Sequence, residues 1–324
     1  MIAIILIALA AGAASALMFA SMVSGALISV LLLYLAPLPL MVAALGWGPL
    51  CATIGGIAAA TGLGVIFGLP YCIAFAVAVA LPAWWLGHLA LLGRPIANSE
   101  TSPENGVTAT PPLLEWYPVG RILLWIAGFA ALTTMSVLLT LGHDAVTVTN
   151  VIRHGLSLVW GHDEAINEET QRGIDMLAAI APAAAAIVAM MTLTLNLWLA
   201  AKITATSGRL HRPWPDLNNT ALPPMTLAAL SVAIAFGFIG GLSAMLAQII
   251  GSALTMAYAL AGFAVLHTLT LALRHRALWL SCTYAVVAVF GWPVLAIAAL
   301  GLADAVFGLR QRYLQSRPPP LPAA

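Results

Sequence analysis

The chain has 324 residues, of which 62% are hydrophobic and 7% charged, and its formal net charge is +1. Soluble domains are about 25% charged, so this composition excludes a soluble protein, and the small net charge points to no nucleic-acid partner. Mean hydropathy is +1.02. Apolar runs of roughly 20 residues, the length that crosses a bilayer as a helix, recur from end to end. They do not alternate as the strands of a transmembrane β-barrel do. The fold class is therefore all-α, a polytopic transmembrane helical bundle of about 8–10 spans in contact with the lipid bilayer.

Taken in order, the spans are read at 2–21, 26–45, 49–67, 71–92, 120–142, 176–201, 223–242 and 246–273. The first lacks the basic n-region of a signal peptide and is read as an uncleaved span. Residues 1–92 make a four-span N-terminal half. Residues 93–118, rich in Pro, Ser, Thr and Asn, read as a flexible cytoplasmic linker. Residues 119–309 make the second half, which carries an extracytoplasmic amphipathic segment at 143–175. There Asp144 is placed to cap a helix bearing Val148, Val151, Ile152 and Val159, and Asp163 to cap a second with Glu164, Glu168 and Glu169. A plain acidic loop is the competing reading. The stretch 277–309 is too long for one span, and Gly291-Trp292-Pro293 divides it into two short spans or a re-entrant hairpin. Residues 310–324 read as a disordered tail.

Orientation follows from the cations. With a cytoplasmic N-terminus and two crossings in 277–309, Arg94, Arg121, Lys202, Arg209, Arg212, Arg274, Arg276, Arg310, Arg312 and Arg317 lie inside. Only Arg153 and Arg172 lie outside, ten against two, as the positive-inside rule requires. Both termini are then cytoplasmic. Trp84, Trp85, Trp198, Trp279 and Trp292 stand near span ends, where indoles favour the interface.

Asp304 is the carboxylate set deepest in an apolar span. An Asp at a helix centre costs about 2.5–3.5 kcal/mol, so such groups face a bundle interior. His88, Asn196, His267 and Asp304 each precede a basic flank by six or seven residues, about 9–10 Å of helix. They read as one buried polar layer, with Asp304 and His267 as the natural pair. Interhelical structural bonding is the competing role. Ala8, Gly12, Ala16 and Ala20 form a small-residue stripe on the first span, a helix-packing face or a partner-docking face. Cys51, Cys72 and Cys282 sit in apolar runs and suggest neither disulfide nor zinc. The His143-Asp144 and His162-Asp163-Glu164 clusters read as exposed loop residues, so no metal and no cofactor is expected. No phosphate loop, HExxH or GxSxG motif is present, which leaves enzymatic activity open and leaning against.

Several stretches carry a likeness: LAPLPL from Leu35, GWGPL from Gly46, LPAWWLGHLALL from Leu81, SGRLHRPWPDL from Ser207 and GLADAVFGLR from Gly301. Together they resemble the YybS-like family of bacterial multi-pass membrane proteins. The stripe of the first helix and the Pro-punctuated second and third spans also resemble the substrate-binding subunits of energy-coupling-factor transporters. That resemblance implies docking of Ala8, Gly12 and Ala16 on a partner membrane subunit, with an ATPase in trans. It departs from the family in length and in the inner position of the polar layer. Two functions follow as expectations for a bacterial inner-membrane protein. One is a transporter-like, solute-binding subunit; the other is a non-transporting scaffold or assembly protein of the cell envelope.

Overall fold

The computed structural model describes residues 1–95, 114–160 and 168–315. Its helices, in order, are α1 (Ile2–Ala20), α2 (Leu27–Leu35), α3 (Pro37–Trp47), α4 (Pro49–Phe67), α5 (Leu69–Phe75), α6 (Leu81–Ala90) and α7 (Val119–Leu141). There follow α8 (Ala145–Trp160), α9 (Glu168–Thr206), α10 (Met225–Gly237), α11 (Gly241–Leu269), α12 (Arg276–Phe290), α13 (Val294–Phe307) and α14 (Leu309–Gln315). Seven helical segments among the described residues are long and apolar enough to cross a membrane, or eight if the bent pair α13 and α14 counts as one span. The fold is an all-α polytopic bundle.

Local chemistry places the breaks. Pro37 has no N–H to continue α2, and the chain turns at Ala36 into α3. Pro82 is absorbed by a π-helical stretch, Ala76–Ala80, between α5 and α6. Between α10 and α11 the break falls at Gly240 and Gly241, with φ of 85° and 63°. It lies a few residues before the gap expected between 242 and 246, because two successive left-handed residues are open to glycine alone. The expected span 223–242 shortens to α10, of 13 residues, and the first part of 277–309 is α12, of 15 residues, each about 20 Å long. The Gly291-Trp292-Pro293 break is observed, with Gly291 at φ 70°.

The chain divides into two compact units, Met1–Ile122 with Thr192–Pro215, and Leu123–Met191 with Asp216–Ala324. In the first, α1 packs on α4 through Ala8, Gly12 and Gly55, where added Cβ atoms would meet backbone carbonyls. Ala8 and Gly12 are buried there, while Ala16 and Ala20 are half-buried. Met41, Leu40, Leu45, Phe75 and Leu86 fill the core, and Cys51 is buried beside Ala8 and Ala43. The ends of the linker pair as two short antiparallel strands, β1 (Gly93–Pro95) and β2 (Leu114–Trp116), with Arg94 opposite Glu115. This pairing was not foreseen in a stretch read as flexible. The Arg94–Glu115 ion pair, 3.0 Å, is largely solvent-exposed and stabilises little.

In the second unit α11 is the axis. It packs against α13 through Gly262 and Gly301, and against α10, around Tyr258, Ile249 and Val265. By contrast α12 has no buried residue and exposes Leu278, Trp279, Val289 and Phe290, which suits a lipid-facing helix. Asp144 caps α8 as expected, its carboxylate accepting from the Thr147 amide at 2.9 Å and from the Thr147 hydroxyl at 2.6 Å. Val148 is buried, whereas Val151, Leu158 and Val159 form an exposed apolar flank. Arg153 reaches Asp175 of α9 at 2.6 Å. The expected second loop helix is corrected in part. Glu168 and Glu169 open α9 itself, a continuous 39-residue helix of about 58 Å, and Asp163 and Glu164 lie outside the described residues. The tail is corrected likewise: residues 310–315 belong to α14, and 316–324 lie outside the described residues.

The cap makes α8 acid-sensitive. The Thr147 hydroxyl and amide hold the Asp144 carboxyl below its ordinary pKa of 3.8. Its contribution is full above that ordinary value and is lost as pH falls through the lowered one. Hydrogen exchange should show the first α8 amides losing protection on acidification, and Asp144→Ala should show the same loss at neutral pH. Unchanged protection in that variant would remove the cap from the account.

Candidate functional site

Asp304 lies in the last turn of α13, buried at 8% exposure. Its backbone carbonyl accepts from Gly308 at 2.8 Å, and Gly308, at φ 63°, ends the helix. Its side chain then caps the next helix. Oδ1 accepts from the Arg310 backbone N–H at 2.8 Å, while Oδ2 accepts from Arg310 Nε at 2.8 Å and pairs with its terminal nitrogen at 2.7 Å. The remaining terminal nitrogen of Arg310 donates to the Asn218 carbonyl at 2.7 Å. One carboxylate thus holds the 68° bend between α13 and α14, and its partner ties that bend to the segment before α10.

Beside this pair opens a cavity of about 670 Å³ lined by Tyr258, Gly301, Asp304, Arg310, Gln311 and Arg312, among others. Tyr258 is fixed at its wall. Thr226 donates its hydroxyl to the Pro223 carbonyl at 2.6 Å, so Tyr258 is the donor in the 2.5 Å bond between the two hydroxyls. Among the described residues the Arg310 guanidinium uses three of its five N–H groups in these contacts.

The expected pairing of Asp304 with His267 is corrected: no bond joins them among the described residues. His267 Nε2 contacts the Tyr284 hydroxyl at 2.8 Å, and Arg276 reaches His267 Nδ1 at 3.4 Å and its carbonyl at 3.2 Å. Arginine only donates, so Nδ1 accepts and the neutral ring carries its proton on Nε2, toward Tyr284. The physical reason for the correction is local. Arg310, six residues on across the Gly308 turn, satisfies Asp304 with three donors before a distant histidine can.

The other two members of the proposed layer lie in the first unit. Asn196 Nδ2 donates to the Tyr34 carbonyl at 2.7 Å and to Thr192 at 2.8 Å. It supplies a donor at the helix end that Pro37 interrupts. His88 stacks on Trp84 and lies tilted against Trp85, ring centroids 6.4 and 5.9 Å away. Each of the four residues is thus placed by its own neighbours. No group of three or more metal-ligating side chains occurs among the described residues.

Sequence reasoning missed a second constellation, on the loop leaving α9. Arg212 donates to the carbonyls of Ala90 and Tyr117 at 3.1 and 3.0 Å, joining the end of α6 to the start of α7. Burial pulls its guanidinium below the ordinary value. Lys202 sits over the Trp214 ring at 4.8 Å and Arg209 over Trp47 at 4.6 Å. The SGRLHRPW run was visible, but no local pattern names the indole that each cation meets.

Residues 12–305 match a family described as a predicted membrane protein. The chain belongs to the DUF2232 family. Membership extends from the Gly12 contact to Asp304 and Ala305 beside the cavity, so the DUF2232 region takes in both units. No curated protein and no solved structure matches the chain.

Proposed function

We propose that this DUF2232 protein is a transporter-like, solute-binding subunit of the bacterial inner membrane that draws energy from an ATPase partner in trans. The cavity beside Asp304 and Arg310 carries this reading. It is of ligand size, and its lining includes Tyr258, the Asp304–Arg310 ion pair, Gln311 and Gln315. The distant resemblance to energy-coupling-factor subunits agrees with it in class. Docking through the first helix is not part of the proposal, because Ala8 and Gly12 are already covered by α4.

Purification from native membranes should recover an ATP-binding subunit and a small molecule released on denaturation. Gln311→Ala with Gln315→Ala should lose that molecule while the protein stays folded. Recovery of the protein alone, empty and unresponsive in thermal stability to a cell extract, would sink the reading.

The scaffold alternative rests on the exposed apolar flank of α8. Charging it with Val151→Lys and Val159→Lys should then abolish partner recovery while solute binding persists.

The reading also places both termini in the cytoplasm, with α8 outside. In a background lacking Cys51, Cys72 and Cys282, a cysteine at His154 should react with an impermeant thiol reagent added to intact cells. One at His211 should not, and labelling there would reverse the orientation.

A further inference from the structure

We propose that Lys202 and Arg209, each held over an indole, form a binding site for the phosphate headgroup of an anionic phospholipid.

Counting crossings puts these residues at one membrane face. The second and fourth spans end at Trp47 and Ala90, the fifth begins at Val119, and the sixth ends at Thr206. An alternating chain brings all four ends to the same side. The contacts within the first unit agree, since Arg212 bridges Ala90 and Tyr117 while Arg209 covers Trp47.

The turn after α9 aims the cations. Gly208, at φ 67°, reverses the chain, and the amides of Arg209 and Leu210 both donate to the Thr204 carbonyl, at 2.9 and 3.1 Å. This turns Arg209 back along its own helix. Its stem passes Gly46, where an added Cβ would lie 3.9 Å from it, and the guanidinium ends over Trp47. Lys202, seven residues before, meets Trp214 from the returning part of the loop.

Charge is left over at this face. Arg94 is paired with Glu115, but neither Lys202 nor Arg209 has an ion-pair partner among the described residues, and both are exposed. Asp216, the nearest carboxylate in sequence, accepts from Asn218. An indole face orients a cation without neutralising it, so each retains donors for an anion. At a membrane surface the anion at hand is a lipid phosphate, and indoles prefer the same depth. The pairing of unneutralised cations with interfacial indoles therefore fits a headgroup with its chains beside the helices.

The test uses the full-length protein in neutral detergent, titrated with phosphatidylglycerol, phosphatidylcholine or inorganic phosphate and followed by native mass spectrometry. Phosphatidylglycerol should be retained, phosphatidylcholine only weakly, and added salt should weaken retention. Each charge removed should lower phosphatidylglycerol affinity roughly 5-fold, so Lys202→Gln with Arg209→Gln should lower it roughly 30-fold. Lys202→Arg should restore binding. Circular dichroism of the double variant checks its fold, and since both side chains are exposed it should match the parent. Equal retention of the two lipids, an unaffected double variant, or inorganic phosphate competing at the lipid's own concentration would each overturn the assignment.

Discussion

Gly301→Leu will leave no folded second unit in mild detergent, and Gly301→Ala will cost about 1–3 kcal/mol, the usual price of overpacking. The reason is the approach of α11 to α13. A Cβ on Gly301 meets the Tyr258 carbonyl oxygen and lies 2.9 Å from the Gly262 nitrogen, and a Cβ on Gly262 meets the Ile297 carbonyl. These neighbours are backbone atoms of a packed helix and cannot swing away. Gly251 on the same helix is the control, because its nearest neighbour would be the Ala233 methyl at 3.9 Å. Gly251→Ala should be neutral or stabilising by roughly 0.5–1 kcal/mol through helix propensity. Thermal unfolding followed by size-exclusion elution separates the two positions. Equal tolerance at Gly301 and Gly251 would mean that the helices do not meet so closely.

The second large effect belongs to the ion pair at the α13–α14 bend. Removing one partner of a buried pair strands the other charge and costs about 3–5 kcal/mol. Asp304→Asn should fall in or near that range, because Arg310, 11% exposed, is left with the Asn218 carbonyl and its remaining donors. Asp304→Leu should be worse, since the cap on the Arg310 amide is lost as well. The double variant Asp304→Leu with Arg310→Leu should be milder than Asp304→Leu alone, because no charge is then left unpaired. Asp304→Asn and His267→Gln should simply add. A non-additive result for that last pair, with additivity for Asp304 and Arg310, would restore the sequence expectation and refute the observed geometry.

These two cases show how legibility divides within the candidate site. Asp304 was found from sequence because a carboxylate in an apolar run stands out at any register. Its partner was also in view, as the basic flank that measured its depth, but spacing along a straight helix hid it. The left-handed Gly308 folds Arg310 back onto Asp304, and no helical periodicity predicts that return. The polar layer failed for a related reason. Equal depth is a one-dimensional property, whereas pairing requires that two helices present facing sides. Asn196 therefore found the Tyr34 carbonyl at the end of α2, and His267 found Tyr284.

By itself the sequence determined the membrane class, the order of the spans, the cap at Asp144 and the break at Gly291. Each of these follows from what a short segment must do alone: bury apolar side chains in lipid, satisfy its own backbone, or turn where a proline or glycine requires it. Tertiary structure alone decided which small residues touch, which carbonyl each free donor reaches, and which indole each cation covers. Those bonds join positions 162 residues apart at Asn196 and Tyr34, and 92 apart at Arg310 and Asn218. They depend on the rotation of one helix against another, and lipid sets no such rotation, since it solvates every apolar face alike.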